Sequence, residues 1–221
     1  MNIYMIAQYL APEGAGEDRI LKLGRELVAR GHDVTLMTGS GAVDLDLGQK
    51  RIGITELSGL RVIAFNVPHD FNMNRWSKLL GFIKFSRMAG KQGRNLPRPD
   101  LITAVSPPLT AAWPAVNLSR LYRVPLVVEL RELWPDLPIK RGTLRNGLAI
   151  KAARRLEQKI YEQANRIVAS DQEIAAAVGE RLVEQARVKV VEEDSDERSL
   201  IEKYDLALAG LNVFSKETRH P

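Results

Sequence analysis

The chain has 221 residues, 45% of them hydrophobic, enough for one sizeable core in a single domain with a C-terminal appendage. It contains no cysteine, which excludes disulfides, thiolate catalysis and Cys-ligated zinc, and its three histidines show no metal-ligand spacing, so no metal site is expected. The net charge of +5 is segregated: Arg75, Lys78, Lys84, Arg87, Lys91, Arg94 and Arg98 lie in a stretch without an acidic residue, whereas 192–197 is acidic but for Ser195.

Asn2 to Tyr9 alternates and then runs apolar, the pattern of a first strand, and Leu10 to Gly16 breaks it with a glycine-bearing loop. From Glu17 the spacing changes. Ile20, Leu21, Leu23, Leu27 and Val28 mark one face of a helix that stops at Gly31, and Asp33 to Thr38 is a second strand. Strand, loop, helix, strand predicts a parallel sheet with right-handed crossovers.

A short strand is expected at Ile52 to Glu56, a clearer one at Leu60 to Val67, and a helix over Arg75 to Gly90. Leu101 to Val105 reads as a strand, and Ser106-Pro-Pro108 as the opening of a helix that runs to about Tyr122, since proline is favoured in a first helical turn. Leu126 to Leu130 is the next strand, and Leu144 to Ala164 has a helical period. Arg166 to Ala169 is a short strand, Asp171 an N-cap for a helix over Gln172 to Glu184, and Val188 to Val191 a last strand. Glu202 to Leu211 is weakly helical before a loose tail. The sum is a doubly wound, mostly parallel α/β sheet with helices on both faces.

Chemistry gathers at strand ends. Glu129, Arg131, Glu132 and Trp134 follow or end an apolar strand, and ligands of open α/β sheets bind outside the carboxyl ends of such strands. The alternative is a structural Arg–Glu pair. The Gly14-Ala15-Gly16 loop opens the first helix, where backbone N–H groups could cradle a phosphate or simply make a tight turn. The dinucleotide fingerprint is not completed, because Arg19 stands where its third glycine belongs. Arg19 either adds charge to a bound diphosphate or points to solvent, and Ser106 lines the same cleft edge or merely starts a helix.

The basic stretch, with Trp76, Lys84, Arg87 and Lys91 among its members, reads as a helix on an anionic membrane surface or as an amphipathic helix with a solvated face. No nucleic-acid motif accompanies the charge, so nucleic acid is not an expected partner. No apolar run reaches the ~20 residues that span a bilayer. The first residues lack a signal peptide's basic region, and the expected location is cytoplasmic.

Longer stretches carry a resemblance. Met1-Asn-Ile-Tyr-Met-Ile-Ala-Gln-Tyr-Leu-Ala-Pro-Glu-Gly-Ala-Gly16 with Arg19, followed by Leu23-Gly-Arg-Glu-Leu-Val-Ala-Arg-Gly-His-Asp-Val-Thr-Leu-Met-Thr38, resembles the opening of the retaining GT-B glycosyltransferases of family four. Pro99-Asp-Leu-Ile-Thr-Ala-Val-Ser-Pro-Pro-Leu109, Val128-Glu-Leu-Arg-Glu-Leu-Trp-Pro135 and Ala164-Asn-Arg-Ile-Val-Ala-Ser170 are similar to its bacterial surface-polysaccharide and colanic-acid branch.

The resemblance covers residues 1–191 and implies a Rossmann-like, acceptor-binding GT-B half, with 192–221 an unrelated tail. It implies a polyprenyl-diphosphate-linked acceptor at the inner face of the cell membrane. The loop at Gly14, Ala15 and Gly16 would approach the donor diphosphate, and Arg131 and Glu132 would line the reaction cleft as catalytic candidates. Ser106, Glu129 and Trp134 would border the acceptor. Many relatives carry aspartate where this chain has Glu132. The family's second domain, which holds the nucleotide-sugar, is not expected in this chain, so no cofactor is expected here without it. Expected partners are therefore a donor-domain protein, the lipid-linked saccharide, the membrane surface and further copies of the chain. The alternative is a non-catalytic saccharide-lipid-binding or regulatory protein that keeps the fold.

Overall fold

A computed structural model of the protein describes residues 1–10, 18–40, 47–67, 75–181 and 188–190, without the side chains of Arg75, Trp76 and Lys189. The Gly14-Ala15-Gly16 loop, the Trp76 side chain, residues 182–184, Val191 and the segment 192–221 lie outside the described residues, and the helix expected to Glu184 already ends at Gly179, with Glu180 as its C-cap.

The strands are β1 (Asn2–Ile6), β2 (Asp33–Gly39), β3 (Ile52–Leu57), β4 (Leu60–Phe65), β5 (Leu101–Ser106), β6 (Leu126–Leu130), β7 (Arg166–Ala169) and β8 (Val188–Val190). They form one sheet in the order β3-β4-β2-β1-β5-β6-β7-β8. Every pair is parallel except β3 with β4. These two form a hairpin whose loop residues, Ser58 and Gly59, both have positive φ (52° and 81°), the conformation that matches the strands' right-handed twist. The doubly wound, mostly parallel sheet expected from the sequence is the observed one.

Alternation along the strands builds two cores. Tyr4, Ile6, Met37, Ile63, Ile102, Ala104, Val128 and Ile167 face helices α2 (Arg75–Asn95), α3 (Leu109–Tyr122) and α5 (Gly147–Gln163). Ile3, Met5, Val34, Leu36, Val62, Leu101, Val127 and Val168 form the other face, where Ile20, Leu23 and Leu27 of α1 (Arg19–Ala29) pack. The remaining helices are α4 (Asp136–Lys140) and α6 (Gln172–Gly179).

The caps set the helix ends. Asp18, not Glu17, precedes α1, and its side chain accepts from the Ile20 N–H at 2.7 Å. Beyond the other end, Gly31 (φ 81°) lets its own N–H reach the Val28 carbonyl and that of His32 the Leu27 carbonyl, a Schellman closure. Asn146 caps α5, which therefore starts at Gly147 and not at Leu144. Asp171 caps α6 as its position in the sequence predicts.

Two expectations on the α3 side need correction, and one helix is new. Pro107 and Pro108 precede α3, with Pro108 at its N-cap, and the proline within the helix is Pro114. The turn of helix α4 has no counterpart in the sequence reading. The second helix does not stop at Gly90 but continues to Asn95, because Gly90 and Gly93 are seats for α3. A Cβ on Gly90 would rest 3.6 Å from Pro114 Cβ, and one on Gly93 would run into Leu118. Tyr122 also donates its hydroxyl proton to the Gly93 carbonyl at 3.0 Å.

Candidate functional site

The chain runs outward from β1 through β2 to β4, then returns over the sheet by α2 and restarts at β5 on the other side of β1. At such a switch the connections diverge and leave a crevice at the strands' carboxyl ends. Gln8, Ser106 and the residues that follow β6 stand there.

Four charges form the floor beside it. Glu129, only 2% exposed, is 3.2 Å from Arg131 Nε and 3.7 Å from Arg19 Nε. Arg131 also donates to Asp18, 3.3 Å away, so one carboxylate both caps α1 and ties it to the end of β6. Burial pulls the Arg131 pKa down, but Glu129 and Asp18 more than offset this and leave it above the ordinary guanidinium value. Two carboxylates against two guanidiniums carry no net charge, which is what makes their burial tolerable.

Arg131 is thus paired, but with Glu129 and Asp18; Glu132 is exposed. Arg19 does not point to solvent. It is 8% exposed and held against Glu129. The sequence carries a signal for Asp18, since an aspartate directly before an apolar helical period is a cap signature, and Glu17, where the spacing changes, lies two residues before the first helical residue.

Rings gather on the α2 side of the strand ends. Tyr9 meets Phe82 of α2 edge to face at 6.3 Å between centroids, and Phe82 meets Trp134 in the same way at 6.4 Å. Burial pushes the Tyr9 hydroxyl up to about 12. Behind Trp134, Asp136 and Glu157 bind Arg154 and Arg181, an ion network that pins α4 onto α5.

The basic helix faces outward. Along α2, Leu79, Leu80 and Ile83 are 43%, 65% and 40% exposed, and Lys84, Arg87 and Lys91 are exposed with them. Lys84 donates to the Asn66 carbonyl at 2.7 Å. Among the described residues no helix is long and apolar enough to cross a membrane, and no group of acidic or histidine side chains is placed to hold a metal ion.

Residues 14–192 match the family described as glycosyl transferase 4-like domain. Among solved structures, the chain is similar to sucrose-phosphate synthase from Thermosynechococcus elongatus, with 14% identity, 93% of this chain and 95% of that one covered, and a TM-score of 0.59. The catalytic domain of starch synthase IV from Arabidopsis thaliana, bound to ADP and acarbose, gives 14% identity over 86% of this chain and 51% of that one, with a TM-score of 0.55. HepE from Anabaena, in complex with UDP and glucose, gives 19% identity over 89% of this chain and 45% of that one, at 0.50. No curated protein sequence matches. At these identities the likeness concerns the fold, a single Rossmann-like GT-B half, and the chain spans about half the length of the last two structures.

Proposed function

From the premise that this chain belongs to the glycosyl transferase 4-like family, we propose that it is the acceptor-side half of a glycosyltransferase for bacterial surface-polysaccharide synthesis. The acceptor is a lipid-linked saccharide at the inner face of the cell membrane. The donor is a nucleotide-sugar held by a second module, whether on the same polypeptide or on another.

The observation that carries this reading is the neutral cluster of Asp18, Arg19, Glu129 and Arg131 at the carboxyl ends of the strands beside the switch-point crevice. Those charges are committed to one another, so their work is positioning. Glu129 and Arg131 hold the end of β6 in place, and Glu132 is the exposed carboxylate there that contacts the acceptor. The loop at Gly14, Ala15 and Gly16 and the adjoining Arg19 belong to the donor-diphosphate side. In the reaction the bond from the sugar's anomeric carbon to the nucleoside diphosphate breaks and one to an acceptor hydroxyl oxygen forms. The hydroxyl proton leaves with the diphosphate.

The test combines the chain with a donor-binding module of the same family and follows radiolabelled sugar from a panel of nucleotide-sugars onto a polyprenyl-diphosphate-linked saccharide. Transfer is expected, and Glu132→Gln should lower kcat by about 10²-fold. An absence of transfer with every donor, or a Glu132→Gln rate equal to wild type, would leave the chain a saccharide-lipid-binding protein without catalysis.

A further inference from the structure

Two buried side chains at the crevice each keep a polar atom without a hydrogen-bond partner among the described residues. They are Gln8 Oε1, on a residue 1% exposed, and Ser106 Oγ, on a residue 0% exposed. Buried polar atoms are almost always satisfied, so two unsatisfied ones in one place ask for a ligand or a water.

They are neighbours by register. β1 pairs with β5 through Ile6 opposite Ala104, and two residues further on Gln8 comes level with Ser106. Alternation puts Ser106 on the face of Ala104, and Gln8 follows just past the end of β1, whose path runs about 4.8 Å from β5 at the last paired residues. The Gln8 amide is oriented, because its Nε2 donates to the Tyr9 hydroxyl oxygen at 3.1 Å and leaves Oε1 to accept. Ser106 Oγ can donate and accept. The Ser106 carbonyl accepts from the Arg131 N–H at 2.9 Å, which joins this pair to the strand end that carries Trp134.

The chemistry of the surroundings selects among ligands. An oriented amide oxygen and a free hydroxyl suit alcohol groups, and aromatic ring faces such as those of Tyr9 and Trp134 suit the C–H face of a saturated ring. A ligand carboxylate finds no welcome. Arg131 is engaged with Glu129 and Asp18, Arg19 lies on the α1 side of the sheet 3.7 Å from Glu129, and Glu132 adds an exposed negative charge.

We propose that Gln8 and Ser106, beside the ring chain that starts at Tyr9, bind the hydroxyls of an uncharged sugar ring. This rests on the glycosyl-transfer reading and narrows it: the acceptor's terminal unit is a neutral pyranose, not a uronic acid.

The probes are methyl β-D-glucopyranoside, methyl β-D-galactopyranoside and methyl β-D-glucuronide, titrated into the purified chain and followed by saturation-transfer NMR and tryptophan fluorescence. At least one neutral glycoside should saturate, with the glucuronide about tenfold weaker, and Ser106→Ala and Gln8→Met should each weaken the neutral ligand about tenfold. Thermal melts identify a variant that fails to fold, in which case the other carries the test. Equal binding by a folded variant, a glucuronide as tight as the neutral glycosides, or no saturable binding because a bridging water fills the site would overturn the proposal. The transfer assay reads separately. Transfer untouched by Ser106→Ala removes this site and leaves the transferase reading, whereas glycoside binding without transfer in any reconstitution does the reverse.

Discussion

Asp18 and Arg131, 113 positions apart in the chain, meet at 3.3 Å and join the start of α1 to the end of β6. Arg131→Met strands the buried Asp18 and Glu129 carboxylates and should cost about 3–5 kcal/mol in urea unfolding. Asp18→Asn keeps a good cap but loses the charge, and the two changes together should show a coupling of about 1–3 kcal/mol. Strict additivity would mean that the contact contributes nothing.

A second prediction concerns acid. Burial raises the Asp136 pKa, but hydrogen bonds from Arg154 and Arg181 outweigh it and hold the carboxyl below its ordinary range. A depressed folded pKa gives stability that is present above the unfolded value, about 4, and is lost as pH falls through the folded value. Wild type should therefore lose more stability than Asp136→Asn as pH drops from about 5 to about 3. Parallel stability curves for the two proteins, from denaturant titrations at each pH, would contradict this.

Gly90 and Gly93 lie on one face of α2, yet alanine should act oppositely at the two. At Gly90 there is room against Pro114, so Gly90→Ala should stabilise by about 0.5–1 kcal/mol through lower unfolded-state entropy. At Gly93 a methyl group collides with Leu118, and Gly93→Ala should destabilise by about 1–3 kcal/mol. Chemical denaturation of both variants decides, and a stabilised Gly93→Ala would show that α3 can retreat.

The outer side of α2 should bind anionic vesicles. Leu79, Leu80 and Ile83 offer apolar area, and Lys84, Arg87 and Lys91 offer charge. Co-sedimentation with vesicles containing phosphatidylglycerol should fall with salt and with Lys84, Arg87 and Lys91 changed to glutamine. It should also fall with Leu79 and Leu80 changed to glutamine at constant charge. Sedimentation unaffected by either set would assign the exposed residues no lipid role.

The strands were readable because a buried parallel strand needs an unbroken apolar run, and Leu126 to Leu130 or Leu101 to Val105 offers little else. Asp171 was readable because a cap acts on residues next to it. What escaped depends on distant partners. Gly90 looks like a helix stop until α3 is placed against it, and a single sequence does not show that Pro114 and Leu118 will be there. Arg131 stands out as a charge at a strand end, but the sequence does not say which acid it pairs with. The partners it takes are Glu129 and Asp18: Glu129 and Arg131 lie two apart, and Asp18 arrives only through the sheet.

β1 is made before the strands that flank it, and β2 reaches it after about thirty residues. Its other edge is paired by β5, with Ile3 opposite Leu101. Until that strand leaves the ribosome, half of the central strand's N–H and C=O groups have no neighbour, and the crevice beside Gln8 does not yet exist. Synthesis thus passes through a stage with one sticky, unpaired border in the middle of the eventual sheet, when a holdase chaperone would matter most. The place proposed as the ligand site is, at that stage, where the nascent chain is most prone to pair with the wrong partner.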